Sequence, residues 1–315
     1  MNTTITPLLA IDCLVYNQEP YLRECLDGFV MQQTNFPFVA IVHDDASTDH
    51  SADIIREYAE RYPNILHPIY ETENQYSKGD GSLSRIMAAA IEATGARYIA
   101  MCEGDDYWTD PHKLQKQVDF LETHAEYSLC FHKVNTYLQA TGELKGEMLV
   151  DDVLGESTIL DLARRNYIHT PSVVYRNLPE IGHDRSQFGA LPVGDYTLWM
   201  LCAKYGKIYK LNDVMGVYRL GSGTWSTQSD FYHRLVWLSL LNQLRMSMND
   251  LADVVVILDQ QVQQTQTSLL DIYQDVLEQL RQVKKSNAYR IGKYLFNPRL
   301  AWQRLLTFLG VRNKQ

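Results

Sequence analysis

A chain of 315 residues with 45% hydrophobic and 11% aromatic content can bury the core of one large α/β domain and still carry an appendage. Its net charge of −9 argues against a nucleic-acid partner, because an acidic surface repels phosphate backbones. Five widely separated cysteines, without a CxxC pair or a Cys/His cluster, predict reduced core thiols rather than a disulfide framework or a zinc site.

The start, Met1 to Pro7, is polar and predicts no signal peptide, and no run of 18 apolar residues predicts a membrane span. Leu8 to Val15 is a short apolar run that reads as a buried strand ending at Tyr16-Asn17. Tyr21, Leu22, Cys25, Leu26, Phe29 and Val30 then recur at helical spacing. Phe38 to Val42 repeats the strand, ends in His43-Asp44-Asp45-Ala46-Ser47-Thr48-Asp49, and leads to a second helix carrying Ile54, Ile55, Tyr58 and Tyr62. Ile65 to Tyr70 is a third strand, Glu71 to Gly81 a loop, and Leu83 to Ile91 a third helix ended near Gly95. Such repeated β-α units predict a mainly parallel sheet covered by helices.

The strand Tyr98 to Cys102 runs into Glu103-Gly104-Asp105-Asp106-Tyr107-Trp108-Thr109-Asp110-Pro111, around which the chain is organised. Pro111 reads as the first turn of a helix formed by Lys113 to Leu121. Crowded carboxylates repel, and each takes up a proton in a desolvated cleft unless a cation or hydrogen-bond donors hold the charge. Magnesium or manganese fits that need, since these ions bind one or two carboxylates together with nucleotide phosphates. The plain alternative is a solvated acidic turn that caps a helix. Further on, the sequence predicts strands at Tyr127 to Val134 and Ser172 to Tyr175, and a short helix at Thr158 to Arg165. A helix opens with Asp195 at its start, and Lys207 to Leu211 with Val214 to Tyr218 reads as a closing strand pair.

On these separated pieces, together with Val193-Gly194-Asp195-Tyr196-Thr197-Leu198-Trp199, roughly the first 225 residues resemble family 2 glycosyltransferases of the GT-A fold. The resemblance implies a Rossmann-like, mainly parallel sheet flanked by helices, with a C-terminal helical extension. It also implies an inverting transfer of sugar from a nucleotide-diphosphate donor, a UDP-sugar first among them, to a hydroxyl of a glycan or lipid-linked saccharide, with Mn2+ or Mg2+ as cofactor. Asp45 is expected on the base and Asp44 at its strand end, with Tyr16 and Glu19 beside the nucleotide. Asp105 and Asp106 occupy the DxD-like position, one toward ribose and one toward metal, and Glu103 stands where many members have the first Asp. Asp195 is the expected general base, its alternative role being a helix N-cap. Tyr107, Trp108, Trp199 and Arg219 are expected donor or acceptor contacts, Arg219 being equally readable as a surface ion pair. Many relatives carry a His shortly after a Tyr-Arg pair, whereas Tyr218-Arg219 is followed here by Leu220-Gly221-Ser222-Gly223. A nucleotidyltransferase is a weaker reading, because Val15 to Glu19 offers no basic, glycine-rich phosphate loop. A catalytically inactive nucleotide-sugar-binding module is the non-enzymatic alternative.

The expected division is 1–225 catalytic, 226–285 helical or coiled-coil, and 286–315 a basic tail. Leu251, Val255, Leu258 and Val262, then Leu269, Tyr273, Val276, Leu280 and Val283, alternate at three and four. That spacing suits a coiled coil pairing two copies, a helical hairpin, or a helix folded onto the main domain. From Arg281 onward nine Lys/Arg stand without an acid, which leaves 20 basic against 38 acidic residues before it. Basic residues mixed with Tyr, Trp, Phe and Leu suit a helix at an anionic membrane surface, which implies a cytoplasmic protein peripheral to the inner face of the membrane. The same tail is suited to dock on the acidic domain or to pair subunits.

Overall fold

The computed structural model describes residues 6–147, 153, 155–188, 194–223 and 228–285. Among the described residues ten strands form one sheet. Four of them, β1 (Leu9–Val15), β2 (Phe38–Asp44), β3 (Leu66–Tyr70) and β4 (Tyr98–Met101), are parallel in the order β3-β2-β1-β4. The helices α1 (Glu19–Val30), α2 (Ser51–Arg61) and α3 (Ser82–Thr94) connect them. This half is the predicted doubly covered parallel sheet.

The second half is mixed. β5 (Tyr107–Trp108) and α4 (Lys113–Thr123) follow the acidic turn, and then comes β6 (Tyr127–Leu138), which forms a hairpin with β7 (Glu143–Lys145). Next are β8 (Glu156–Ser157), α5 (Ile159–Arg164), β9 (Val174–Arg176), α6 (Pro179–Ser186), α7 (Gly194–Tyr205) and β10 (Lys207–Leu220). β9 is antiparallel to both β4 and β6, whereas β10 lies parallel to β6 and antiparallel to β5. Pro111 lies in the turn ahead of α4 instead of inside it, since the first helical residue is Lys113. The expected strand pair at the end is one long strand. β10 absorbs the break between Leu211 and Val214 as a bulge, with a second irregularity before Gly216, because a bulge bends a strand without ending it.

Alternation along β1 explains the two-layer core. Leu9, Ile11, Cys13 and Val15 face α1, α2 and α4 together with Ala40, Val42, Tyr98 and Ala100. Ala10 and Leu14 turn to the other face, where Ile41, Ile99 and Phe131 meet Trp199 and Leu201 of α7. Every cysteine is free and buried, as expected of reduced core thiols.

α8 (Asp230–Ser247) begins under the cap of Ser229, whose hydroxyl accepts the Tyr232 amide, and it buries Leu240, Leu241 and Leu244 in this second layer. α9 (Ala252–Lys285) contributes Val254, Leu258 and Val262 to the same core. The chain divides into two compact units, Met1–Val262 and Gln263–Gln315. In the second unit Leu270, Tyr273, Val276 and Leu280 of α9 are exposed. The basic tail 286–315 lies outside the described residues. Among the described residues, no helix is long and apolar enough to cross a membrane.

Candidate active site

The carboxyl ends of β1, β2 and β4 lie side by side, which is where ligands gather on open α/β sheets. The loops leaving β1 and β2 are joined by reciprocal hydrogen bonds. Asn17 N donates to Ser47 Oγ at 2.9 Å, and Thr48 N returns a bond to Asn17 Oδ1 at 2.7 Å. Glu19 N donates to Asp49 Oδ2 at 3.0 Å, while Glu19 Oε2 accepts from His50 N at 3.1 Å. Asn17 and Ala46 adopt positive φ, 52° and 59°, to make these tight exits. Asn tolerates that region, but Ala pays a steric penalty there.

Asp45 is 4% exposed and both of its carboxylate oxygens receive amides, Gln75 N at 2.6 Å and Tyr76 N at 3.0 Å. It thereby ties the end of β2 to the 74–78 turn. A carboxylate has about four acceptor directions, so each oxygen retains one for a ligand. Asp44, 3% exposed, accepts the Ser47 amide on Oδ2, and its Oδ1 is buried without a partner among the described residues.

The turn after β4 is pressed against the end of β1. Gly104 N donates to Leu14 O at 3.1 Å, and a Cβ on Gly104 would stand 3.0 Å from a Val15 methyl. Asp105 and Asp106, 6% and 2% exposed, follow at once. Burial raises the pKa of both carboxyls, and in Asp106 the neighbouring Asp105 charge adds to it. β10 holds this pair from the far side. Arg219 N donates to Asp106 Oδ1 at 2.7 Å, Arg219 Nε to Asp105 O at 2.8 Å, and the Ser222 hydroxyl to Asp105 Oδ2 at 2.7 Å. The opposite oxygens, Asp105 Oδ1 and Asp106 Oδ2, take part in none of these bonds.

Asp195 lies in the first turn of α7, where a negative charge is favoured by the helix dipole. Its Oδ1 accepts the Tyr196 amide at 2.7 Å, and the Thr170 hydroxyl also holds it, yet burial raises its pKa above the usual carboxylate value. Glu103 is reached by solvent, but its low-dielectric surroundings and then Asp105, Asp195 and Asp12 push its pKa up to about 8. The Tyr218 phenol is raised by burial and by Asp106, Glu103, Asp105 and Asp195. These acids therefore all lie within electrostatic reach of Tyr218. His169 flanks it with its ring 4.6 Å from that of Tyr218 and its Nε2 4.0 Å from Glu147 Oε1. Burial holds the His169 pKa below the usual range.

Residues 14–179, slightly more than half of the chain, match the Glycosyl transferase family 2 model. The chain belongs to glycosyl transferase family 2. An uncharacterized protein of Mycobacterium tuberculosis is 40% identical over 211 residues, which make up 67% of this chain and 58% of that one. The chain thus spans less than two thirds of the length of the mycobacterial relatives it matches. TuaG of Bacillus subtilis, a glycosyltransferase named for teichuronic acid biosynthesis, is 27% identical over 225 residues, 69% of this chain and 81% of its own. Among solved structures, Staphylococcus aureus TarS 1-349 in complex with UDP-GlcNAc superposes with a TM-score of 0.58 at 18% identity, covering 76% of this chain and 66% of that one. The Pyrobaculum calidifontis mannosyltransferase PcManGT, in complex with GDP-Man and Mn2+, gives 0.59 at 16% identity, covering 98% and 86%. At such identities these two likenesses carry the GT-A fold alone.

In this family 2 fold Tyr16, Asp44, Asp45, Asp105 and Asp106 all stand at the strand ends, and Asp195 joins them from α7. Two expected ligand contacts are corrected. Trp108 is 2% exposed, donates its indole N–H to Pro171 O at 2.7 Å, and packs on Phe29, so no ligand reaches it. Trp199 is fully buried among the residues of the second core layer. Arg219 is not an ordinary surface pair: it is 8% exposed, with Nη2 paired to Glu24 and Nε donating to the Asp105 carbonyl. Glu19 is engaged in joining the two loops. Sequence alone gives no role to Thr170 or Glu24, which touch the site only through tertiary contacts, whereas Ser222 stands out in the Gly/Ser stretch after Tyr218-Arg219.

Proposed function

We propose that this family 2 protein is an inverting glycosyltransferase that moves a sugar from a nucleotide-diphosphate donor, with uridine donors first in line, to a hydroxyl of a glycan or lipid-linked saccharide. What supports the reading is that Asp105, Asp106, Glu103 and Asp195 all lie within electrostatic reach of Tyr218 near the strand ends. In the proposed reaction Asp195 accepts the proton of the acceptor hydroxyl while that oxygen attacks the anomeric carbon from the face opposite the diphosphate. The bond from the anomeric carbon to the diphosphate oxygen breaks, and the nucleotide diphosphate leaves with the electron pair. Burial makes Asp195 a stronger base than a solvated carboxylate, which suits it to the task.

A divalent cation fits the residues present. Asp105 and Asp106 are buried, repel one another, and each retains an oxygen outside the hydrogen bonds from β10. Among the described residues no group of three His, Cys, Asp or Glu could hold a metal, so two carboxylates would share the ion with diphosphate and water. When bound, Mg2+ or Mn2+ neutralises charge developing on the leaving diphosphate. Asp45, with Tyr16 beside it, is proposed to receive the base. From composition alone, 286–315 is proposed to bind an anionic membrane surface.

Incubating the protein with a panel of nucleotide sugars and glycan acceptors, followed by mass spectrometry, tests the reading. A glycosylated product with inverted anomeric configuration is expected. Tight donor binding without turnover for any acceptor would instead favour a sugar-nucleotide-binding module.

A further inference from the structure

Arg219 is placed where the sequence suggests a phosphate-binding cation, but its Nε and Nη2 are held by the protein. The guanidinium lies 4.8 Å from the Tyr21 ring centre, 5.0 Å from that of Tyr137 and 5.3 Å from that of Tyr107. Glu24 pairs with Nη2 from α1, and Nε donates to the Asp105 carbonyl. Two further bonds leave the same stretch of β10 and its exit. Arg219 N holds Asp106 Oδ1, and the single Ser222 hydroxyl proton goes to Asp105 Oδ2, the nearer of two acceptors, with Arg219 O 3.2 Å away. Each bond fixes one atom of the acidic pair and leaves the opposite carboxylate oxygen out of the arrangement.

A planar guanidinium between aromatic rings, with one donor on a carboxylate and another on a peptide carbonyl, has a single orientation. β5 adds to the constraint: Val217 pairs with Tyr107 and Gly216 with Trp108, so the acids sit at the start of a strand that runs along β10. The Asp105–Asp106 turn is therefore held from three elements, α1, β5 and β10.

We propose that Arg219, oriented by Glu24 and assisted by Ser222, is a positioning residue that sets the Asp105 and Asp106 carboxylates in the geometry a divalent cation requires. This rests on the metal-assisted reading of the same site. Groups that orient metal ligands from behind typically contribute 10- to 100-fold to metal affinity. Lysine retains the charge but lacks the planar fork, so it cannot reproduce both directed contacts at once.

The test is Mn2+ binding to the purified full-length protein, followed by electron paramagnetic resonance with UDP present, for wild type, Arg219→Ala, Arg219→Lys, Ser222→Ala and Glu24→Gln. Arg219→Ala is expected to weaken Mn2+ binding by about 10-fold or more, with Arg219→Lys recovering part of the loss. Excess Mn2+ should restore turnover in these variants, which a merely structural defect would not allow. A folded Arg219→Ala protein that binds Mn2+ within twofold of wild type overturns the proposal. If Arg219→Ala does not fold, Ser222→Ala and Glu24→Gln decide: weakening of about threefold or more supports the role, and unchanged affinity in both overturns it. Wild type that binds no Mn2+ at all would instead remove the metal reading on which the proposal rests.

Discussion

The ammonium of Lys113 stands 3.9 Å from the centre of the Trp108 ring, wholly buried beneath the acidic turn. Among the described residues its one hydrogen bond is a long one of 3.5 Å to Val173 O, and burial lowers its pKa from 10.5 to about 7. The folded state thus binds the proton less tightly than the unfolded chain, so stability from this group rises with pH between about 7 and 10.5. Below that window both states are protonated and the full cost is present. Lys113→Met should be more stable than wild type near pH 7 by on the order of a few kcal/mol, with the gap closing as pH rises. Urea unfolding of both proteins at about pH 6.5, below that window, and at about pH 9.5, in its upper part, measures it. A difference that does not change with pH would refute the assignment of a buried, strained ammonium.

Asp195→Asn retains the shape of the side chain and its bond from the Tyr196 amide but cannot take a proton. Turnover should fall by about two to four orders of magnitude while donor affinity, measured calorimetrically, stays near wild type. An equal loss of donor affinity would make Asp195 a binding residue.

The reading of Asp105 and Asp106 as metal ligands predicts that chelation abolishes turnover and that manganese or magnesium restores it. Asp106→Asn should remain folded, because its Oδ1 can still accept the Arg219 amide, yet lose activity. Full turnover in excess chelator would end this reading.

Ala46 sits at φ 59° between the Asp45 and Ser47 contacts. Glycine adopts that conformation without the Cβ clash, so Ala46→Gly should be neutral or stabilising by up to about 1 kcal/mol. Thermal melts check the sign. Clear destabilisation would mean that the left-handed turn is not what the exit of β2 requires.

The basic, aromatic segment 286–315 predicts co-sedimentation with anionic vesicles that weakens with salt and is lost on truncation after Val283, while donor hydrolysis survives. Full-length protein that ignores such vesicles at low salt would make the tail a packing or pairing element.

The parallel half of the fold was legible in the sequence because its information is local. Apolar runs such as Leu8 to Val15 and Phe38 to Val42, each followed by a stripe at helical spacing, specify strand and helix without reference to the rest of the chain. The acids at their ends were legible for the same reason, since Asp44, Asp45, Asp105 and Asp106 stand within a few residues of the ends of apolar runs. Tertiary structure decided the remainder. Trp108 and Trp199 have the composition of ligand contacts, and only the packing around them makes them core. Lys207 to Leu220 breaks its apolar pattern at Asn212-Asp213, and it is pairing with β6 and β5 that carries one strand across the break. Arg219 and Glu24 are 195 residues apart in the chain, and Thr170 reaches Asp195 from a separate segment. A side chain's neighbours at such separations depend on how sheet and helices close on one another, so what it can do depends on contacts that no local pattern in the chain specifies.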